Sequence, residues 1–181
     1  MTIWNIARAC KGHLAVPAGK HTGTCPAAGM AVIRGYSGKE AAGIVIDSRK
    51  VEPGDIFVAI RGERVDGHQF IREVFDKGAI AVVCEEEPEE LPGPCIRVED
   101  SLAALRQIAA FYREQMPIPI VGITGSVGKT STKEFVASVL AQKYKTHKTQ
   151  GNFNNEIGVP LTLLAMPEDT EAAVVEMGIN H

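Results

Sequence analysis

The chain has 181 residues, 45% hydrophobic and 23% charged, with a formal net charge of −3 at pH 7. That length suits one ordinary domain or two small ones, and the composition is that of a soluble globular protein. No basic block offers itself to a nucleic-acid backbone, and no run of about 20 apolar residues is long enough to cross a membrane.

Met1 to His13 lacks the apolar core of a signal peptide. Cys10, Cys25, Cys84 and Cys95 form no C-x-x-C pair, which argues against a zinc site and for reduced, packed thiols in a cytoplasmic protein.

In chain order, Thr2 to Cys10 reads as a short helix with Ile3, Ile6, Ala7 and Cys10 on one face. Val16 to Gly43 is rich in Gly, Ala, Thr and Pro and reads as loops with at most one short strand. Gly43 to Asp47 reads as a strand, Val51 to Asp55 as a Pro-Gly turn, and Ile56 to Ile60 as a second strand. His68 to Lys77 is amphipathic, through Phe70, Ile71, Val74 and Phe75, and Gly78 closes it. Ala79 to Cys84 is a buried strand, and the acidic, proline-bearing stretch from Glu85 to Pro94 is a surface connection near a domain boundary.

A second unit starts near Val98. Ser101 is a candidate N-cap for a helix carrying Leu102, Leu105, Ala109 and Tyr112, which Pro117 and Pro119 stop. Ile120 to Thr124 is a strand, and a helix from Lys129 shows an apolar stripe of Phe135, Val136, Val139 and Leu140. Ala172 to Met177 is another buried strand. Strands alternating with amphipathic helices make this an α/β protein.

The strongest local signal is G-I-T-G-S-V-G-K-T-S, Gly122 to Ser131, set between a strand and a helix as a phosphate-binding loop requires. Glycines let backbone N–H groups approach phosphate oxygens, and the helix N-terminus adds unpaired donors and the positive end of its dipole. Lys129 supplies a full charge to the outer phosphates, and Thr130 a hydroxyl where Mg²⁺ bridges them. The strict pattern wants Gly at position 123, where Ile123 stands. The plain alternative, a glycine turn with Lys129 solvated, leaves unexplained why a lysine and two hydroxyls open the helix together. Glu176, near the carboxyl end of a strand, is a candidate Mg²⁺ ligand or simply a charge at a strand edge. Gln150 to Gly158, with three asparagines, is either a loop whose amides meet a polar ligand or an ordinary turn.

Together these pieces resemble the Mur ligase family. T-G-S-V-G-K-T-S (Thr124 to Ser131) looks like that family's ATP loop. G-N-F-N-N-E-I-G-V-P-L-T-L-L (Gly151 to Leu164) and E-M-G-I-N-H (Glu176 to His181) are similar to segments of the member that adds D-alanyl-D-alanine. D-S-R-K-V-E-P-G-D-I-F-V-A-I-R-G-E-R-V-D-G-H-Q-F (Asp47 to Phe70) looks like the N-terminal domain that holds the UDP end of the substrate. The resemblance runs from about Gly43 to His181, and the residues before Gly43 match poorly.

The resemblance implies a small N-terminal α/β UDP-substrate domain over residues 1–97, followed by an incomplete P-loop parallel-sheet ATPase domain over 98–181. It implies that Gly125, Ser126, Val127, Gly128, Lys129, Thr130 and Ser131 hold the ATP phosphates, with Lys129 catalytic and Asn152 near the nucleotide. Thr130 and Glu176 would reach magnesium. Ser48 and Arg49 would contact the UDP moiety, although a turn stabilised by Asp47 and Arg49 accounts for the same residues. Asp66, Gly67 and His68 are read as a helix start with Asp66 as its cap, and His181 carries little weight. The implied activity is ATP-dependent joining of D-alanyl-D-alanine to UDP-N-acetylmuramoyl-tripeptide through an acyl phosphate, in cytoplasmic peptidoglycan precursor synthesis. The implied protein is a monomer without nucleic-acid or membrane partners. Such ligases resemble three-domain proteins more than twice this long, so a truncated chain with little or no activity of its own is expected. The alternatives are another Mur-type ligase, a folate-polyglutamate ligase, a non-catalytic module gripping a UDP-sugar or ATP, and a general P-loop ATPase.

Overall fold

Short β-branched runs separated by amphipathic segments leave the chain few options besides parallel strands linked by crossovers. The computed structural model describes residues 1–17, 36 and 38–178. Cys25 and His181, both considered above, lie outside the described residues. Contacts divide the chain into two units, Met1–Ile108 and Ala109–His181.

In the first unit, α1 (Ile3–Ala9) is capped by Thr2, whose hydroxyl accepts from the Asn5 N–H, and it buries Ile3, Ile6 and Ala7. A five-stranded sheet follows, in the order β1 (His13–Ala15), β5 (Cys95–Arg97), β4 (Ala81–Cys84), β3 (Ile56–Val58), β2 (Ile44–Val45). β1 is antiparallel to β5, and the other pairs are parallel. β3 and β4 are buried at every position, as expected of interior parallel strands. Phe57, Val82, Cys84 and Cys95 pack with Ile71 and Val74 of α2 (Ile71–Asp76). Cys10, Cys84 and Cys95 are free, buried thiols.

Several expectations change here. The strand expected over Gly43 to Asp47 shrinks to β2, because Asp47 instead accepts from the Arg49 N–H and caps a 3-10 turn over Ser48–Lys50. The helix expected from His68 begins as a 3-10 turn, Gly67–Phe70, capped by Asp66 as foreseen, before α2 takes over. Gly78 follows α2 with φ +100, the left-handed closure that glycine accommodates. Ser101 does not cap α3 (Ser101–Glu114). The Asp100 carboxylate does, accepting from the N–H groups of Leu102 (2.8 Å) and Ala103 (2.9 Å). Ser101 is buried, and its own N–H donates to Glu85 Oε1 at 3.0 Å.

The second unit carries a parallel sheet in the order β6 (Ile120–Ile123), β8 (Ala172–Glu176), β7 (Thr146–Lys148). β8 is central and buried throughout. α4 (Lys129–Leu140) covers it, with Ala137 against Ile123 and Val174, flanked by Val136 and Leu140. The expected stripe is thus half right. Phe135 and Val139 are 74% and 71% exposed, because the helix turns its Lys133–Ala137 side to the sheet. A further short helix, α5 (Gly158–Leu164), follows the asparagine-rich loop and packs Leu163 near Met166.

Candidate active site

The site in the second unit forms where three strands end. β6 runs into Thr124 and Gly125, β7 into Thr149, and β8 ends on Glu176, so the carboxyl ends of a parallel sheet deliver all three segments to one place. The connection from β6 to α4 needs two left-handed residues, Gly125 (φ +141) and Gly128 (φ +79), which a side chain would strain. Gly128 is the N-cap of α4 and brings no capping side chain, so the first-turn N–H groups keep the donor character that suits an anion. Lys129 arches back over the loop, its Nζ donating to the Gly125 carbonyl at 2.6 Å.

Thr130 and Glu176, 46 residues apart in sequence, meet: the Thr130 hydroxyl donates to Glu176 Oε2 at 3.2 Å. Glu176 is 1% exposed, and it stays buried because it is surrounded by donors. Asn154 Nδ2 donates to Oε1 at 2.8 Å, Lys133 Nζ lies 3.5 Å from Oε2, and the Glu176 N–H donates to Thr149 Oγ1 at 2.9 Å. Burial alone would raise the Glu176 pKa. The hydrogen bonds from Asn154 and Thr130 and the Lys133 charge outweigh it, and the carboxyl lies below its ordinary range. Asn154 is tied a second time through its main-chain carbonyl, which accepts from the Gly178 N–H at 2.6 Å.

A buried carboxylate beside a hydroxyl is an all-oxygen donor pair, the chemistry Mg²⁺ selects, and it leaves the remaining coordination to phosphate and water. A threonine that gives its proton to Glu176 keeps its lone pairs for a cation. The pair therefore fits Mg²⁺ together with a nucleotide. Asn152 is exposed in the same loop, whereas Asn154 is the asparagine that reaches the carboxylate. Lys133 and Thr149 escaped sequence reasoning, and Asn154 stood there only as one of the three asparagines of the candidate loop. The one signal for Lys133 was its position three residues beyond Thr130, on the same helical face.

In the first unit, Ser48 is buried and Arg49 is 85% exposed. The Arg49 guanidinium forks onto Asp47, Nε to Oδ1 and Nη2 to Oδ2, both at 2.8 Å. That bond holds the Asp47 carboxyl at about 2. Lys77 Nζ donates to the Ser48 carbonyl at 2.9 Å and braces the turn from α2. Nearby, the Glu85 N–H donates to His68 Nε2 at 2.9 Å, which leaves the Nδ1 proton facing Asp66 Oδ1 at 2.6 Å.

Residues 40–113 match the model of the Mur ligase family catalytic domain, and residues 123–181 match the Mur ligase middle domain. The UDP-N-acetylmuramoyl-tripeptide–D-alanyl-D-alanine ligase of Bacillus subtilis is 42% identical over 99% of this chain and 36% of its own length. The chain belongs to the Mur ligase family. Among solved structures, MurF from Acinetobacter baumannii superposes with a TM-score of 0.81 at 34% identity, covering 99% of this chain and 36% of that one. MurF from Thermotoga maritima, solved with ADP, gives 0.71 at 36% identity, over 79% of this chain and 33% of that one. The chain spans about a third of the length of these relatives. Among the described residues, no helix is long and apolar enough to cross a membrane.

Proposed function

We propose that this chain supplies the ATP site and the UDP-substrate anchor of a cytoplasmic ligase that joins D-alanyl-D-alanine to UDP-N-acetylmuramoyl-tripeptide in peptidoglycan precursor synthesis. In this reading residues 1–97 form the anchor and residues 98–181 begin the ATP-binding domain. The observation that carries it is the meeting of Thr130 with the buried Glu176 beside an uncapped, lysine-bearing helix N-terminus. The names of the relatives supply the substrates.

A carboxylate and an ammonium do not condense in neutral water, so the carboxylate must first gain a leaving group. The γ-phosphoryl group of ATP passes to the terminal carboxylate of the tripeptide, giving an acyl phosphate and ADP. The amine of D-alanyl-D-alanine then attacks the acyl carbon, the C–N bond forms, phosphate leaves and the amine proton goes to solvent. Phosphoryl transfer asks mainly for positioning and charge stabilisation. The N–H groups of Gly125 to Ser131 cradle the phosphates, and Lys129 exchanges the Gly125 carbonyl for an outer phosphate oxygen. Thr130 and Glu176 would hold Mg²⁺, which when bound neutralises charge on those phosphates. Ser48 and Arg49 contact the UDP moiety, with Arg49 leaving Asp47 to do so.

The substrate half separates this reading from a general P-loop protein. Calorimetric titration with UDP-N-acetylmuramoyl-tripeptide should give saturable binding, weakened about tenfold in Arg49→Ala through loss of a charge-assisted hydrogen bond. A folded chain that ignores the compound would overturn the assignment.

A further inference from the structure

Lys133 is buried to 1% exposure on α4, one turn beyond Thr130. An ammonium taken out of water is costly unless it is paired and hydrogen-bonded, so its partners indicate what it holds. Its Nζ donates to the Gly151 carbonyl at 2.9 Å and lies 3.5 Å from Glu176 Oε2 and 3.6 Å from Glu134 Oε1. Glu134 is shared with Lys148 at the end of β7. One side chain thus joins three segments distant in sequence: the start of α4, the loop after β7, and the end of β8. Gly151 takes φ +52, and three residues on, Asn154 makes the 2.8 Å bond to Glu176. The loop's fit to the carboxylate therefore depends on an anchor at Gly151.

We propose that Lys133 is a positioning residue of the phosphate–metal site, its buried ammonium holding the Gly151–Asn154 loop and the Glu176 carboxylate in one arrangement, so that nucleotide and divalent cation meet a preset group of oxygens. This rests on reading Thr124 to Ser131 as the phosphate loop. Groups that orient a metal's direct ligands typically contribute 10- to 100-fold to metal affinity. A mere counter-charge would act in the opposite direction, because an ammonium beside Glu176 repels a divalent cation.

The test uses the 181-residue chain, titrated with ADP in the presence and absence of Mg²⁺, with hydrogen exchange read at residues 151–155. Lys133→Met should weaken Mg-ADP binding about 10- to 100-fold, leave metal-free ADP binding little changed, and deprotect the loop amides. Lys133→Gln keeps a donor without the charge and should give a smaller loss, which provides a reading where the Met variant does not fold. Unchanged or tighter Mg-ADP binding would overturn the inference and leave Lys133 a counter-charge. A parallel fall in both titrations together with lost cooperative melting would also overturn it, leaving a structural lysine. Failure of the unaltered chain to bind Mg-ADP would refute the phosphate-loop reading instead, with loop exchange in the variants still reporting on the tether.

Discussion

Asp47 and Arg49 form a fork at the surface, the guanidinium exposed and the carboxylate partly covered, and its pH dependence has a defined sign. The side-chain hydrogen bond from Arg49 lowers the Asp47 pKa from 3.8 to about 2. A carboxylate with a depressed folded-state pKa contributes stability above its unfolded value and loses it as the pH falls through the folded one. The fork should thus be intact above about pH 4, where the unfolded carboxyl is also ionised, and should dissolve as the pH falls toward 2. An NMR titration of the Asp47 carboxyl checks this, and a midpoint at an ordinary aspartate value contradicts it. At this scale the sequence was legible where chemistry is local. Gly128, Lys129 and Thr130 are adjacent, and Glu176 ends a run of small apolar residues, Ala172 to Val175. Lys133 was illegible, and Asn154 could not be told from the other asparagines of its loop, because their partner is reached only through the pairing of β6 with β8 and of β7 with β8.

The asparagine-rich loop and α5 behave as one element with a tight start. A Cβ on Gly158 would lie 2.4 Å from the Phe153 carbonyl carbon, and backbone cannot swing aside as a flexible side chain does. Gly158→Ala should cost about 1–3 kcal/mol and weaken Mg-nucleotide binding through displacement of Asn154. Chemical denaturation and titration of the same variant read both effects, and an unperturbed variant would show the loop to be looser than described. Of the three-residue strands, β1, β5 and β7 left no mark on the sequence, since His-Leu-Ala, Cys-Ile-Arg and Thr-His-Lys are too short for a period of two and lack the continuous apolar run that Ile-Phe-Val gives β3. Longer elements, β4, β8 and α3, were visible as runs or stripes. The cap of α3 was misassigned by one residue because Asp100 and Ser101 are both good caps, and only the burial of Ser101 separates them.

For the whole chain, alternation of strand and helix announced the α/β class, and two parallel-containing sheets realise it. The contact boundary at Ile108–Ala109 falls inside α3, a position that composition could not indicate, because the helix pattern runs unbroken across it. Each unit carries its own proposed site, the Ser48–Lys50 turn in the first and the Thr124–Ser131 loop with Glu176 in the second. The proposed activity depends on the latter, which calorimetric titration of the chain and of Lys129→Ala with Mg-ATP would probe. Saturable binding that weakens about tenfold or more when the charge-assisted contact of Lys129 is removed is the predicted result. Equal binding by the variant, or none by the folded chain, would contradict it.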